Sequence, residues 1–249
     1  MTIIKTAEEI ALMREAGRIV AAILLKMKEA VKPGIKTQQL NEIADKEIRR
    51  WPLARPSFKG YQGFPASVCI SINDEVVHGI PGKRILNEGD IVSLDFGIIY
   101  QGFQGDAAVT VGVGNVSLEA RRLMDVTEAS LFQGIGAARD GGNLGDIGAA
   151  IQSYVEAHGY NVVREYTGHG IGRDMHEDPF VPNFGKRGEG MKLREGMTLA
   201  LEPMVNAGTW KTRLDSNGWT VHTADGSLSA HYEHTIAIGK DGTEILTLL

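Results

Sequence analysis

The chain resembles itself at an offset of 107 positions, and this repeat narrows the folds open to it more than any other feature. Leu86-Asn-Glu-Gly-Asp-Ile-Val-Ser-Leu-Asp95 aligns with Leu193-Arg-Glu-Gly-Met-Thr-Leu-Ala-Leu-Glu202, and both stretches end on an acid. Leu86/Leu193, Glu88/Glu195, Gly89/Gly196 and Leu94/Leu201 are identical pairs. At the same offset Leu24 meets Leu131, Gly34 meets Gly141, and Gly63 meets Gly170. Coincidence among common residues is the alternative. One shift that serves four separated segments favours two related halves, about 1–112 and 113–249, packed as a single domain over 1–249.

Each half reads as helices followed by strands. Residues 7–31 carry Ile10, Met13, Ile19, Ala22, Ile23, Met27 and Val31 at helical spacing, and Pro33-Gly34 stops the run. Thr6 with Glu9 forms a capping-box pattern. A second helix fits 37–50, opened by Thr37, and 117–138 and 144–158 take the matching places in the other half. Strands are expected at 67–72, 90–98, 106–112, 161–166, 197–205 and 231–238. The pattern is α+β, with helices covering one face of a mainly antiparallel sheet.

Charge and cysteine content exclude several classes. The balance of 26 basic against 31 acidic residues, net −5, contains no basic run, so direct nucleic-acid or membrane-surface binding is not expected. No apolar stretch reaches the roughly 18 residues of a membrane span. Acids stand near the start where a signal peptide would be basic. The single cysteine, Cys69, excludes an internal disulfide framework, and a cytoplasmic location is expected.

Asp95 and Asp106 are the most informative acids. With Ile91–Ile99 as a strand, Tyr100-Gln-Gly as the turn and Gly105–Gly112 returning, a bulge-free hairpin centred between Tyr100 and Gln101 sets them opposite each other. Their Cβ atoms would then lie roughly 4.5–5.5 Å apart. Like charges so placed repel, and a cation between them would remove the penalty. Two exposed strand acids separated by a bulge remain the alternative. Glu202 ends an apolar run where a lone carboxylate is costly, and it is the repeat's counterpart of Asp95. Glu233 lies on a strand between His231 and His234; alternation puts His231, Glu233 and Thr235 on one face. His169 is held between glycines. Each, taken alone, also reads as a solvent-tipped acid or a structural histidine, and spacing does not show that they converge.

Together these residues resemble one family. Asp95, Asp106, His169, Glu202 and Glu233 occur in the order and contexts of the methionine aminopeptidases, the pita-bread metallopeptidases. Asn73-Asp-Glu-Val-Val-His78-Gly-Ile-Pro, Thr167-Gly-His169-Gly-Ile-Gly, Met175-His176-Glu-Asp-Pro, Leu201-Glu202-Pro-Met, Gly218-Trp219-Thr and Glu233-His-Thr are similar to its signature segments. The resemblance spans about residues 3–248, and the duplicated halves fit that fold's internal pseudo-two-fold symmetry. The chain resembles the short bacterial type-one form, without the helical insertion of type two or an N-terminal extension.

The resemblance implies a dinuclear site. Asp95 would chelate one divalent ion, His169 would bind the other, Asp106 and Glu233 would bridge them, and Glu202 would complete the coordination of the second ion. Four carboxylates and one imidazole suit Mn²⁺, Fe²⁺ or Co²⁺, with Zn²⁺ also compatible. Glu202 would shuttle a proton, His176 would steady the substrate carbonyl, and His78 would contact the substrate backbone. Tyr61, Phe64, Cys69 and Trp219 match positions that line the methionine pocket. Met175 departs from the phenylalanine usual before the second histidine. Gln62 occupies the repeat position of His169. Implied partners are the N-termini of nascent polypeptides, with transient ribosome association and a monomeric state as family precedents.

Three rivals were weighed. Proline-directed relatives, the aminopeptidase P and prolidase group, share the ligand types but normally carry a separate N-terminal domain. A non-catalytic peptide-binding module of the same fold has typically lost ligands, and none is lost here. A purely structural metal site leaves His78 and His176 unexplained.

Overall fold

The four helices follow from apolar spacing and end chemistry. In the computed structural model, which describes residues 2–248, α1 is Ala7–Ala30, α2 Thr37–Ile48, α3 Leu118–Ala137 and α4 Leu144–Ala157. All start and stop within two residues of their sequence-based bounds. Thr6 and Glu9 form the expected capping box on α1, an arrangement worth about 1 kcal/mol. Thr37 is the first residue of α2, but its hydroxyl does not cap the helix. It donates to the Gly82 carbonyl at 3.1 Å and accepts the Gly82 N–H at 2.8 Å, tying the helix to the loop after His78.

The strands are more broken than alternation suggests. In the first half they are β1 (Ala54–Pro56), β2 (Cys69–Ile72), β3 (Glu75–Val77), β4 (Ile91–Tyr100) and β5 (Phe103–Gly112). In the second they run β6 (Asn161–Val162), β7 (Gly168–Gly170), β8 (Glu177–Val181), β9 (Thr198–Leu201) and β10 (Met204–Asn206). The last five are β11 (Thr212–Leu214), β12 (Val221–Thr223), β13 (Ser229–His231), β14 (Glu233–Ile238) and β15 (Thr243–Ile245). The expected strand 197–205 splits because Pro203, without an N–H, interrupts the ladder after Glu202. The expected strand 231–238 splits at Tyr232, so His231 and Glu233 belong to different sheets. The segment expected at 161–166 keeps only two strand residues.

The main sheet runs β1-β4-β5-β14-β9-β7-β8, with β2 added to β4 and β15 to β14, and every pairing is antiparallel. Two smaller sheets, β13-β10-β6 and β11-β12-β3, flank it. One apolar cluster has its buried members between Ala16 and Val113, beneath α1 and α2. Another, Ile91 apart, draws its buried members from residues 120–238 beneath α3 and α4. Backbone contacts recur at the 107-residue offset. Gly34 N–H donates to the Leu86 carbonyl at 2.8 Å, and Gly141 N–H to Leu193 at 3.0 Å. Lys36 bridges Ile85 as Asn143 bridges Lys192.

Candidate metal centre

The β4–β5 hairpin overturns the expected register. Its closing pair is Tyr100–Phe103, so the two-residue turn is Gln101-Gly102, one position later than expected. Both turn residues have positive φ, 48° and 86°, as a type I′ turn demands. Asp95 therefore faces Ala108, and Asp106 faces Gly97. The two acids are diagonal rather than opposed. The displacement is two residues, so they stay on one face of the sheet.

Neighbouring strands complete the cluster. Glu233 begins β14 and pairs with Ala108. Thr235, two residues on, accepts the Asp106 N–H at 3.1 Å and donates to the Asp106 carbonyl at 2.8 Å. His169, centred in the short β7, pairs with Ala200 of β9. Its Nδ1 lies 2.8 Å from the Gly170 carbonyl. A carbonyl only accepts, so Nδ1 carries the proton and the Nε2 lone pair is free to ligate. Glu202 follows β9, with Oε1 3.6 Å from His169 Nε2 and Oε2 3.7 Å from His231 Nε2.

These last contacts are not ion pairs. Burial pushes the His169 imidazolium down to about 4 and His231 to about 3, leaving both rings neutral. Burial, then Asp95 and Asp106, raises Glu202 well above the usual carboxylate range. Burial first, then neighbouring acids, raises Asp95 and Glu233 in the same way. Burial lifts Asp106 to about 7 against an opposing hydrogen bond at Ala107. Glu202 keeps 15% of its side chain exposed, since the cavity opens onto it.

The donor set fits divalent cations. Among the described residues, the buried side-chain polar atoms without a hydrogen-bond partner are Asp95 Oδ1, Asp106 Oδ1, Glu233 Oε1 and His231 Nε2. All belong to this cluster. Such atoms cost about 1–3 kcal/mol each, more when charged, and call for a compensating ligand. Ligand atoms of Asp106, His169 and Glu233 lie within 4.8 Å of one another. Gly97 keeps the space beside them open, because a Cβ there would come within 3.0 Å of Asp106 Oδ1 and 3.1 Å of Met175 Cε. Bound cations would oppose the burial and like-charge repulsion that raise these carboxyl groups.

A cavity of about 150 Å³ opens beside the cluster, reached by Asp95, Asp106, His169, Glu202 and Glu233. Tyr61, Phe64, Cys69 and Trp219 also line it, as do His78 and His176. Phe64 and Trp219 pack edge to face at 5.1 Å. Burial raises the Cys69 thiol well above its ordinary value, so it packs as a neutral group. His176 Nδ1 lies 2.8 Å from Tyr61 Oη, and its ring centroid is 4.3 Å from that of His169. His78 sits in the left-handed region at φ 60°, uncommon for a residue with a side chain. Met175 is buried against Phe58 on the same wall.

Sequence reasoning missed Phe58, Gln62 and Gly97, and gave His231 no place at the site. Gly97 within a strand pattern was the readable signal, since glycine there marks a close approach. Phe58 carried no local pattern that set it apart, whereas the repeat had marked Gln62 and alternation had put His231 on the face of Glu233 without assigning either a role.

The comparisons agree with this geometry. A methionine aminopeptidase of Clostridium acetobutylicum is 55% identical over 249 residues, covering 100% of this chain and 99% of that protein. The crystal structure of methionine aminopeptidase from Rickettsia prowazekii superposes with a TM-score of 0.98 at 46% identity, covering 100% of both chains. Prolidase from Pyrococcus furiosus shares the fold alone, at a TM-score of 0.80 and 21% identity over 100% of this chain and 66% of that one. The model of metallopeptidase family M24 matches residues 11–240, and with the clustered carboxylates and the full-length likeness it makes this chain a member of that family.

Proposed function

We propose that the chain is a methionine aminopeptidase of the pita-bread fold, acting on the N-termini of nascent polypeptides. As a member of a metallopeptidase family it uses divalent metal. The observation that carries the reading is the coincidence of orphaned carboxylate oxygens with a narrow aromatic and thiol-lined cavity. A relative of that activity at 55% identity over the whole chain supports it, whereas the prolidase likeness extends to the fold alone.

In this reading Asp95, Asp106, His169, Glu202 and Glu233 hold two ions, of cobalt, manganese, iron or zinc. The ions would supply Lewis acidity and lower the pKa of a water. The chain's own groups do the rest. Glu202, between two neutral imidazoles and open to the cavity, takes a proton from the attacking water and returns it to the leaving amine. With Tyr61 donating to its Nδ1, His176 presents an Nε2–H to the substrate carbonyl as negative charge develops there. His78 holds the substrate backbone. Tyr61, Phe64, Cys69 and Trp219 enclose the methionine side chain, and the thioether packs against the neutral thiol. A small second residue fits this arrangement.

We also propose one catalytic domain over 1–249, built from two related halves, working as a monomer in the cytoplasm with transient ribosome contact. The recurrent contacts at the 107-residue offset support the first point and the free Cys69 the location. No helix of the described residues is long and apolar enough to cross a membrane.

The test is release of free methionine from Met-Ala-Ser by chelator-stripped protein, with and without Mn²⁺ or Co²⁺, beside a Leu-Pro control. Metal-restored methionine release is expected. Cleavage of Leu-Pro alone would move the assignment to the proline-directed branch, and silence on both in folded, metal-binding protein would favour a binding module.

A further inference from the structure

Away from the metal cluster, one ring has both nitrogens committed to acids on different segments. His222 of β12 is only 12% exposed; its Nδ1 lies 2.8 Å from Asp74 Oδ2 and its Nε2 3.3 Å from Asp215 Oδ2. Ionised carboxylates accept and do not donate. Both contacts are hydrogen bonds only when the ring carries both protons. Hydrogen bonds from Ser216 and Asn217 hold Asp215 below the usual carboxylate range, so that acceptor is ionised.

The two acids adjoin the neighbouring segments that bring Trp219 and His78 to the cavity. Asp215 opens the turn that carries Trp219. Its N–H donates to the Thr220 carbonyl at 2.8 Å, and its Oδ1 accepts the Asn217 N–H at 3.1 Å. Asn217 Oδ1 in turn accepts the Trp219 N–H at 2.8 Å. Asp74 immediately precedes β3, and His78 immediately follows that strand. The backbones of β12 and β3 pair at Val221–Val77 and His222–Glu75, with a register shift between the two pairs.

We infer that His222 is a specificity-determining positioning residue, whose imidazolium clamps the Trp219 turn to the strand that precedes His78 and so sets where Trp219 stands in the pocket. The inference rests on the proposed methionine pocket. The groups facing the ring are Asp74 and Glu75 from the β3 side and Arg213 and Asp215 from the β11 hairpin. Arg213 lies 3.6 Å from Asp74 and Arg84 2.6 Å from Glu75, so both acids of the β3 side have a second cation. Among the described residues the ring is the one cationic partner of Asp215. A ring with one proton offers a single donor to two acids, so only the doubly protonated ring makes both links.

The experiment measures kcat/KM for Met-Ala-Ser over Leu-Ala-Ser with Mn²⁺-loaded enzyme at one fixed pH. Both substrates meet the same metal centre, so the ratio cancels differences in metal loading. His222→Leu and Asp215→Asn should each lower methionine preference about fivefold, a size accessible to a change in one apolar pocket wall. In parallel, ring ¹⁵N shifts of the unsubstituted enzyme should show His222 doubly protonated. A His222→Leu enzyme with the parent's preference would overturn the clamp, as would a singly protonated ring. Trp219→Ala separates the two failures. Lost preference there beside an unaffected His222→Leu sinks the clamp alone, and unchanged preference in Trp219→Ala sinks the pocket assignment and the clamp with it.

Discussion

The segments 1–112 and 113–249 share backbone contacts at the 107-residue offset yet bring different chemistry to the cavity. Asp95 and Glu202 occupy matching positions. Asp95 lies within the ten-residue β4, paired on one side with Cys69 and on the other with Ala108. Glu202 lies past the end of β9, before Pro203, where the ladder stops. Gln62 and His169 also match, but Gln62 sits in a turn at φ 49° while His169 is buried in a strand with its tautomer set by Gly170. The first segment thus offers carboxylates locked in a rigid hairpin. The second offers the imidazole and a carboxylate just past a strand end. In the proposed roles the proton shuttle, Glu202, stands at a strand end and the metal ligand, Asp95, within a hairpin.

Substitutions can break that asymmetry. The largest effect is expected for His169→Ala, which should lower methionine release about 10³-fold with the fold kept, consistent with losing several kcal/mol of metal-derived stabilisation. The matching change Gln62→His should leave metal stoichiometry unaltered; a gain of bound metal, measured by elemental analysis, would show the halves to be interchangeable. Glu202→Gln should lower kcat about 10²- to 10³-fold with much less effect on KM. Equal losses in kcat and affinity would assign Glu202 a positioning role and erase the contrast with Asp95.

A pH-dependent comparison follows from the buried acids. A carboxylate raised in the folded state binds more protons there than in the unfolded chain, so stability falls as pH rises between the two values. For Asp106 that window runs from its ordinary 3.8 to about 7. Chelator-stripped protein should lose thermal stability across this window, and Mn²⁺ should flatten the slope. A metal-free protein with no slope would mean that the acids ionise without cost. The smallest effect sharpens the likeness instead. Gly34→Ala and Gly141→Ala, at φ 89° and 74° with no atom crowding the new methyl, should each cost about 1 kcal/mol from backbone strain alone. Unequal losses in chemical denaturation would show that the matched turns differ in their surroundings.

Much was legible in residue order. The helices were read to within two residues because a 24-residue amphipathic run such as α1 carries its period, cap and stop locally. The repeat, the acids and the histidine-bearing motifs were likewise visible, since motifs are statements about neighbours in sequence. The hairpin register was not. Alternation tells which face a residue takes but not its partner, and the two adjacent turn positions differ in whether Gly102 or Tyr100 takes a positive φ, which the glycine does without strain. Short strands such as β7 and β12 went unread because three residues hold too little pattern, and their existence depends on the strands beside them. What the sequence determined by itself was the inventory of ligands and the helical frame that carries them. Only the tertiary structure decided that Asp106, His169 and Glu233 meet within 4.8 Å, that Phe58 and Gly97 shape the wall, and that His231 closes on Glu202. Such contacts join positions far apart in the chain, and burial against other elements sets them, which no local spacing encodes.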